Sequence, residues 1–332
     1  MLSVVTIVLP VFALILIGYV CRRTNRLGPH AASELNRFVV WLALPALLFS
    51  VTANSSWERL WQPGFLLAFG GSALVVFLLA LVWRIRKGAA ADAQLDALGA
   101  AYANTGYVGI PLCIIVFGEN GLEPALIASL VVVCGIFALA LVGVEVALQG
   151  EKALGPALRK VSRALAGNPL VVAPVLGALW AWGGVPLPKP ASDLLSILGA
   201  ATTPCALVSL GLFLAHKQQE STPGVLPLVA MKLILQPLLA WYVAFEWLEL
   251  PTLWAHSAVL LAALPTGTGP YMLAEYYQRS GARVSRVVLY STWLAAHPVA
   301  VPDLAGLLNA GAIAGHAPGE DHVAHRWTRN TP

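Results

Sequence analysis

The sequence predicts an all-α integral membrane protein with ten transmembrane helices. We expect two inverted five-helix repeats, with broken fourth and ninth helices that cross. Three observations lead to this prediction: an apolar composition, charges grouped between apolar runs, and a repeated pattern of prolines. Of 332 residues, 58% are hydrophobic and 11% are charged, and the mean hydropathy is +0.76. Since a soluble domain is about one quarter charged, this composition indicates a membrane protein.

The charged residues are separated by apolar runs long enough to cross a bilayer, which takes about 20 residues. The predicted spans are 2–21, 36–53, 62–83, 95–117, 122–148, 168–186, 192–215, 224–247, 252–277 and 287–308. The net charge of +4 then reflects the position of the loops, and we expect the lipid bilayer, not a nucleic acid, as the partner. No cleavable leader is expected, because Met1 leads directly into an apolar run.

Basic residues are concentrated in the odd-numbered connections between these spans. Fifteen lie there, against only Arg59 and Lys189 in the even-numbered connections. The fifteen are Arg22, Arg23, Arg26, Arg37, Arg84, Arg86, Lys87, Lys152, Arg159, Lys160, Arg163, Lys217, Arg279, Arg283 and Arg286. Because cytoplasmic loops carry the excess of lysine and arginine, we predict a multi-pass protein of the plasma (inner) membrane with both termini outside the cytoplasm.

The two halves of the chain share a spacing of prolines. At an offset of 159 residues, Pro10, Pro45, Pro111 and Gly18 recur as Pro169, Pro204, Pro270 and Gly177. The predicted repeats are 1–150 and 165–310, followed by a polar tail, 311–332. Each repeat holds five spans, an odd number, so the second must enter the membrane upside down, as in many secondary transporters.

Under this offset, NTGYVGIP in the fourth span corresponds to LAALPTGTGP in the ninth. Proline removes a backbone donor and clashes with the carbonyl four residues earlier, so Pro111 is expected to free the carbonyl of Tyr107, and Pro270 that of Thr266. Unpaired backbone groups in lipid cost several kcal/mol each, so such breaks persist only inside protein or beside a watery cavity. One alternative is that both segments are simple kinks, which are common in membrane helices.

The paired breaks predict a substrate site near the bilayer midplane. The amide ends of half-helices carry partial positive charge and suit a carboxylate. The candidate substrate-binding residues are Asn104, Thr105, Gly106, Tyr107, Gly109, Pro111, Thr266, Gly267, Thr268, Gly269 and Pro270.

Lys232, inside the eighth span, is a possible contact for an anion or a replacement for a cation. Alternatively, it snorkels to the cytoplasmic surface. No aspartate or glutamate lies clearly at mid-membrane in the first nine spans, which disfavours a sodium/proton antiporter. Glu145 is expected at the membrane interface.

No catalytic residue, metal site or cofactor is predicted, and the chain is not expected to be an enzyme. The four cysteines lack metal-type spacing and are expected to be free thiols in apolar surroundings. No Ser/His/Asp or HExxH arrangement has a supporting context. His316, His322 and His325 lie in the polar tail, which is expected to be disordered.

Several motifs together resemble the auxin efflux carrier family, in its bacterial branch, within the larger group that includes bile acid sodium symporters. They are ANTGYVGIPL followed by FGENG, GNPLVVAPVLGAL, LGAATTPCALVSLGLFLA, and LPTGTGPYMLAEYY followed by YSTWLA. The resemblance covers about residues 5–295. Asn104 and Pro111 match the family's fourth-span pattern, whereas Thr268 and Gly269 stand where many relatives have an asparagine.

The resemblance implies a scaffold of spans 1, 2, 6 and 7, often a dimer interface, and a mobile transport domain of spans 3–5 and 8–10. It implies a homodimeric secondary-active carrier of small organic anions such as malonate, working by alternating access. The alternatives are a sodium- or proton-coupled symporter of the bile-acid type and a non-transporting membrane sensor of a ligand. The last span departs from the family at His297, Pro298, Pro302 and Asp303, so no function is assigned beyond Thr292.

Overall fold

The computed structural model describes residues 2–28, 30–56, 61–149, 155, 159, 162–163, 165–215 and 223–295. The described chain is helical and contains no strand beyond one isolated pair of bridging residues. The divergent end of the last span, the tail with its three histidines, Arg59 and Lys217 lie outside the described residues.

Twelve helices are numbered here along the described chain. They are α1 (Leu2–Arg23), α2 (Ala31–Ala53), α3 (Pro63–Ile85), α4 (Ala90–Ala101), α5 (Ile110–Phe117), α6 (residues 122–149), α7 (Pro169–Trp182), α8 (Lys189–Leu214, with a turn at Ala201), α9 (Val225–Trp247), α10 (Thr252–Ala262), α11 (Gly269–Tyr276) and α12 (Ala282–Ala295). The π-helical turn Thr105–Gly109 leads into α5, and the 3-10 turn Gly118–Gly121 joins α5 to α6.

Five of the described helical stretches are long and apolar enough to cross a membrane. They are Ala31–Ala53, Pro63–Ile85, Thr105–Leu148, Lys189–Leu214 and Val225–Trp247, and the apolar helices Pro169–Trp182 and Thr252–Ala262 are shorter. Large apolar side chains remain exposed along them, as with Leu74, Leu78 and Val82 of α3. Such a surface suits lipid. The count of ten crossings stays a prediction.

Two helix pairs approach closely through glycine. A Cβ on Gly18 of α1 would lie 3.0 Å from the backbone carbon of Val208 in α8. A Cβ on Gly177 of α7 would lie 2.6 Å from the backbone oxygen of Phe49 in α2. Between membrane helices, small residues let backbones meet and replace the hydrophobic drive that lipid removes. These glycines therefore hold α1 against α8 and α7 against α2.

The buried side chains form two clusters. One joins α2, the start of α3, the start of α6, the second half of α8 and α10, with Phe65 and Phe69 among its largest members. The other joins the end of α3, α4, the end of α6, the start of α9, α11 and α12, around Phe77 and Leu98. The ring of Tyr102, which follows α4, packs against both clusters. The interrupted segments therefore lie where the two clusters meet.

Candidate functional site

Each segment that the sequence marks as broken contains or adjoins a non-helical stretch. α4 ends at Ala101 and the next helical turn begins at Thr105, while α10 ends at Ala262 and α11 begins at Gly269. The intervening residues 102–104 and 263–268 come from distant parts of the sequence, yet they lie side by side.

The two segments pair through their backbones. Ala103 and Thr266 form an antiparallel bridge. The amide of Asn104 donates to the carbonyl of Pro265 at 2.9 Å, and the amide of Gly267 donates to the carbonyl of Tyr102 at 3.0 Å. These bonds satisfy backbone groups that would otherwise be unpaired within the hydrocarbon region, which explains how the breaks are tolerated.

The prolines differ in where they stand relative to the two breaks. Pro111 lies seven residues after Asn104, inside the helical segment that begins with the π-helical turn at Thr105, and a crossing of the two broken helices at Pro111 and Pro270 stays a prediction. Pro270 lies in the first turn of α11, where proline is tolerated because its missing N–H would have no intrahelical acceptor. Pro265 is the proline inside a break.

Asn104 begins the second half of the first broken helix. It is 5% exposed, and its Oδ1 accepts a hydrogen bond from the amide of Tyr107 at 3.3 Å, as a helix cap does. Its Nδ2 is buried and has no partner among the described residues. A buried donor without an acceptor is costly unless a ligand supplies one. Asn104 is therefore the predicted residue best placed to bind a carboxylate.

Thr268 holds the corresponding place in the second break. It directly precedes α11, and its carbonyl accepts from the amide of Met272 at 3.1 Å. Its side chain is half-buried. The two sequence-predicted polar residues Asn104 and Thr268 thus both stand at half-helix N-termini, where partial positive charge collects.

Thr266 has a different role from the one its sequence position suggested. Its side chain is fully buried, and its hydroxyl donates to the carbonyl of Gly99 near the end of α4 at 2.8 Å. Its amide donates to the hydroxyl of Ser291 in α12 at 3.0 Å. The hydroxyl and the amide of Thr266 are therefore both hydrogen-bonded within the protein, and the hydroxyl stabilises the end of α4. Ser291 was missed, because nothing in a lone serine of the last span marks it.

Tyr102 was also missed, although the glycines that contact it were among the predicted residues. A Cβ on Gly269 would lie 2.6 Å from Cζ of this ring, and one on Gly267 would lie 2.9 Å from Cε1. Phe137 packs edge-on against the same ring, with the centroids 6.1 Å apart. Glycine is required here for close approach to an aromatic ring. The spacing TGTG was the only sign of that in the sequence.

The remaining predicted residues of the fourth span pack around this junction. Thr105 and Pro111 are buried, and Gly106 is half-buried beside Leu44 of α2. The hydroxyl of Tyr107 donates to Oδ1 of Asn36 in α2. A Cβ on Gly109 would lie 2.8 Å from Cδ1 of Leu264. These contacts connect the first break to α2 and to the second break.

Lys232, on α9, is fully buried. Its Nζ donates to the carbonyl of Ala262, the last residue of α10, at 2.6 Å. The interpretation that it snorkels to the surface is therefore wrong. The ammonium instead approaches the carbonyl end of a broken helix, where partial negative charge stabilises it.

A group of ion pairs lies where α4 begins, and sequence reasoning missed it. Asp96 is 2% exposed and bonds to Nε of Arg84 at 2.7 Å and to Nη1 of Arg283 at 2.8 Å. Asp92 accepts two hydrogen bonds from Arg279 at 2.8 Å and raises the pKa of that guanidinium. These pairs link α3, α4 and the start of α12. The two arginines explain why the carboxylate of Asp96 can be buried.

Glu145 is buried within the protein, four residues before α6 ends, and its carboxylate accepts from the hydroxyl of Tyr277. Among the described residues, no three His, Cys, Asp or Glu side chains come together as a metal site would require.

A cavity of about 620 Å³ opens between α2, α8 and the Gly118–Gly121 turn. Its polar lining includes Asn54, Ser196, Glu119 and Glu123. None of the predicted substrate-binding residues lines it, so this cavity and the junction of the broken helices are separate features.

Comparison with known proteins places the chain among transporters. Residues 3–301 match the family described as membrane transport protein. A Rhizobium meliloti protein named "Putative malonate transporter" is 29% identical over 316 residues, 94% of this chain and 98% of that protein. An uncharacterized transporter of Methanothermobacter thermautotrophicus is 28% identical over 302 residues, covering 86% of this chain and 93% of its own. The uncharacterized transporter YfdV of Escherichia coli K12 is 24% identical over 282 residues, 82% of this chain and 89% of its own.

Proposed function

The chain belongs to the membrane transport protein family, and on this basis we propose that it is a secondary-active carrier of small organic anions such as malonate. The family match confirms the resemblance to the auxin efflux carriers, and the chain is an integral, multi-pass membrane transporter, not an enzyme. The substrate class is supported by the relative whose name includes malonate and by the geometry of the junction.

The observation that carries the proposal is the unpartnered, buried Nδ2 of Asn104. It stands at the N-terminus of one half-helix, and Thr268 stands at the N-terminus of the other. Each N-terminus offers partial positive charge to an anion. Two such ends suit the two carboxylates of a short dicarboxylate. The walls of the proposed substrate site would be formed by Thr105 and Gly106 beside Asn104, and by Gly267 and Gly269 beside Thr268.

The proposed inverted repeat draws support from matching helix contacts. Gly18 packs on Val208, and Gly177 packs on Phe49. Gly177 and Val208 each lie 159 positions after Gly18 and Phe49, the offset that the prolines share. The same contact thus occurs twice with its partners exchanged between halves, as a two-fold axis in the membrane plane requires. We extend the proposal to the repeats 1–150 and 165–310 with both termini outside the cytoplasm.

The proposed division into scaffold and transport domain agrees with the packing. α1 packs against α8, and α2 packs against α7 and α8, which correspond to spans 1, 2, 6 and 7. α4 packs against α3, α6, α11 and α12, which belong to the proposed transport domain. The bond from Tyr107 to Asn36 joins the two groups and would have to break as they shift. Homodimer formation through the scaffold is part of the proposal.

The test is flux through the purified protein in liposomes. Labelled malonate uptake should saturate, and other short dicarboxylates should compete more strongly than monocarboxylates. Imposed sodium and proton gradients then separate uniport from ion-coupled symport of the bile-acid type. Saturable binding without flux would favour a ligand sensor. If a folded, inserted protein neither binds nor carries any carboxylate, the organic-anion proposal is wrong.

A further inference from the structure

The ammonium of Lys232 occupies an unusual position at the second break. Its Nζ lies 2.6 Å from the carbonyl oxygen of Ala262, where α10 stops. The last carbonyls of a helix have no partner within the helix and concentrate partial negative charge. In carriers built from interrupted helices, such carbonyl ends commonly coordinate the coupling cation.

Among the side chains that the structure describes, none places a full negative charge beside Lys232. The side chain is fully buried, and none of the carboxylates that the structure describes forms an ion pair with it. One turn further along α9, Gln236 is fully buried, and neither Oε1 nor Nε2 has a partner among the described residues. That part of α9 packs against α10, where the buried hydroxyl of Ser257 is also unpartnered. Two buried polar side chains without partners therefore lie on α9 and α10, the two helices that the hydrogen bond of Lys232 joins.

A monovalent metal cation in a protein needs oxygen ligands such as the carbonyl of Ala262. In this protein the positive charge at that carbonyl belongs to the side chain of Lys232. A lysine ammonium is a compact point charge on a flexible stem, so it can replace such a cation at a carbonyl end. A buried charge in a membrane segment is costly, which argues that this one has a function.

We propose that Lys232 is a built-in cation that takes the place of a coupling sodium ion at the carbonyl end of α10. The carrier then needs no sodium to complete its second broken helix. This inference deepens the proposed function and rests on it for the role in transport, but the cation site itself can be tested without any substrate.

The substrate-free test is the Tm of the purified protein in detergent, measured in sodium chloride and in choline chloride at equal ionic strength. The wild type should show the same Tm in both. Lys232→Ala and Lys232→Ser open space beside Ala262, so each should lose stability in choline and regain part of it, saturably, as sodium or lithium is added. Lys232→Met removes the charge but fills the space, and it should lose stability without regaining any in sodium.

Two outcomes of this test would overturn the proposal. One is a wild-type protein that sodium stabilises relative to choline. The other is a folded Lys232→Ala or Lys232→Ser protein whose Tm is the same in every monovalent cation. Should neither small variant fold, a wild type that sodium stabilises relative to choline would still overturn the proposal.

Flux supplies a second readout. Wild-type uptake should be unchanged when sodium is replaced by choline, while Lys232→Ala should fall at least tenfold in choline and recover at least threefold in sodium. Wild-type uptake that requires sodium would contradict the built-in cation. If the wild type carries no carboxylate at all, the proposed function fails, and the Tm measurements still decide the role of Lys232.

Discussion

The two broken segments are alike in sequence position but differ in how the preceding helix ends. In the first, the carbonyl of Gly99 near the end of α4 accepts from the neutral hydroxyl of Thr266. In the second, the carbonyl of Ala262 at the end of α10 accepts from the ammonium of Lys232. The first break is three residues long and the second is six. One helix end therefore meets a neutral hydroxyl and the other an ammonium, so the proposed anion site has a positive charge on one side only.

The two segments also differ in how well they tolerate a larger side chain in place of glycine. Gly109 of the first segment faces the ends of Leu264 and Leu261, which can move aside, whereas Gly269 of the second faces the rigid ring of Tyr102. We expect the second break to be the less permissive of the two.

The largest expected effect is that of Gly269→Val. Its Cβ would lie 2.6 Å from Cζ of Tyr102, so overpacking should destabilise the protein by about 3 kcal/mol, measured as a lower Tm in detergent. Gly109→Val, the same substitution in the turn after the first break, should cost clearly less, because the ends of Leu264 and Leu261 can move aside. In a double-mutant cycle, Tyr102→Ala should offset part of the Gly269→Val loss. Strict additivity of the two changes would show that ring contact does not explain this glycine.

A smaller loss is expected for Thr266→Val. The substitution keeps the shape but removes the hydroxyl that donates to Gly99, so the carbonyl loses its side-chain partner at a cost of about 1–2 kcal/mol. Thr252→Val, at the exposed start of α10, is the control and should change the Tm little. Equal Tm changes in the two variants would mean that Thr266 does not stabilise the end of α4.

The smallest effect concerns the ion pair between Arg279 and Asp92, which links the chain after α11 to the start of α4. Both side chains are partly exposed, so Arg279→Gln should cost about 0.5 kcal/mol, and the loss should shrink as salt is raised. Arg84→Gln, which breaks the buried pair with Asp96, should cost more and respond less to salt. A reversed order would contradict the assignment of Asp96 to the buried network.

The sequence was sufficient to locate both breaks and to identify the family, because proline, glycine and polar residues within apolar runs are visible without knowing any contact. It could not show that Tyr102 fills the space left by Gly267 and Gly269, or that Ser291 accepts from Thr266, because those partners are far apart in sequence. It also could not show that Pro111 lies within the helical segment after the first break whereas Pro265 lies inside the second break, since both are prolines in apolar, glycine-containing runs. Lys232 was recognised as a candidate, but its depth depends on helix orientation, which hydropathy does not fix.

The central claim is that the free Nδ2 of Asn104 binds a carboxylate of the transported solute. The most direct test is malonate affinity, by binding and by uptake, for Asn104→Ala and Asn168→Ala. Asn168 is the matched control, because it also caps a helix, accepting from the amide of Leu170 at 2.9 Å. The account predicts at least a tenfold loss of affinity in Asn104→Ala, with Asn168→Ala losing stability alone. Wild-type affinity in a folded Asn104→Ala protein would contradict it.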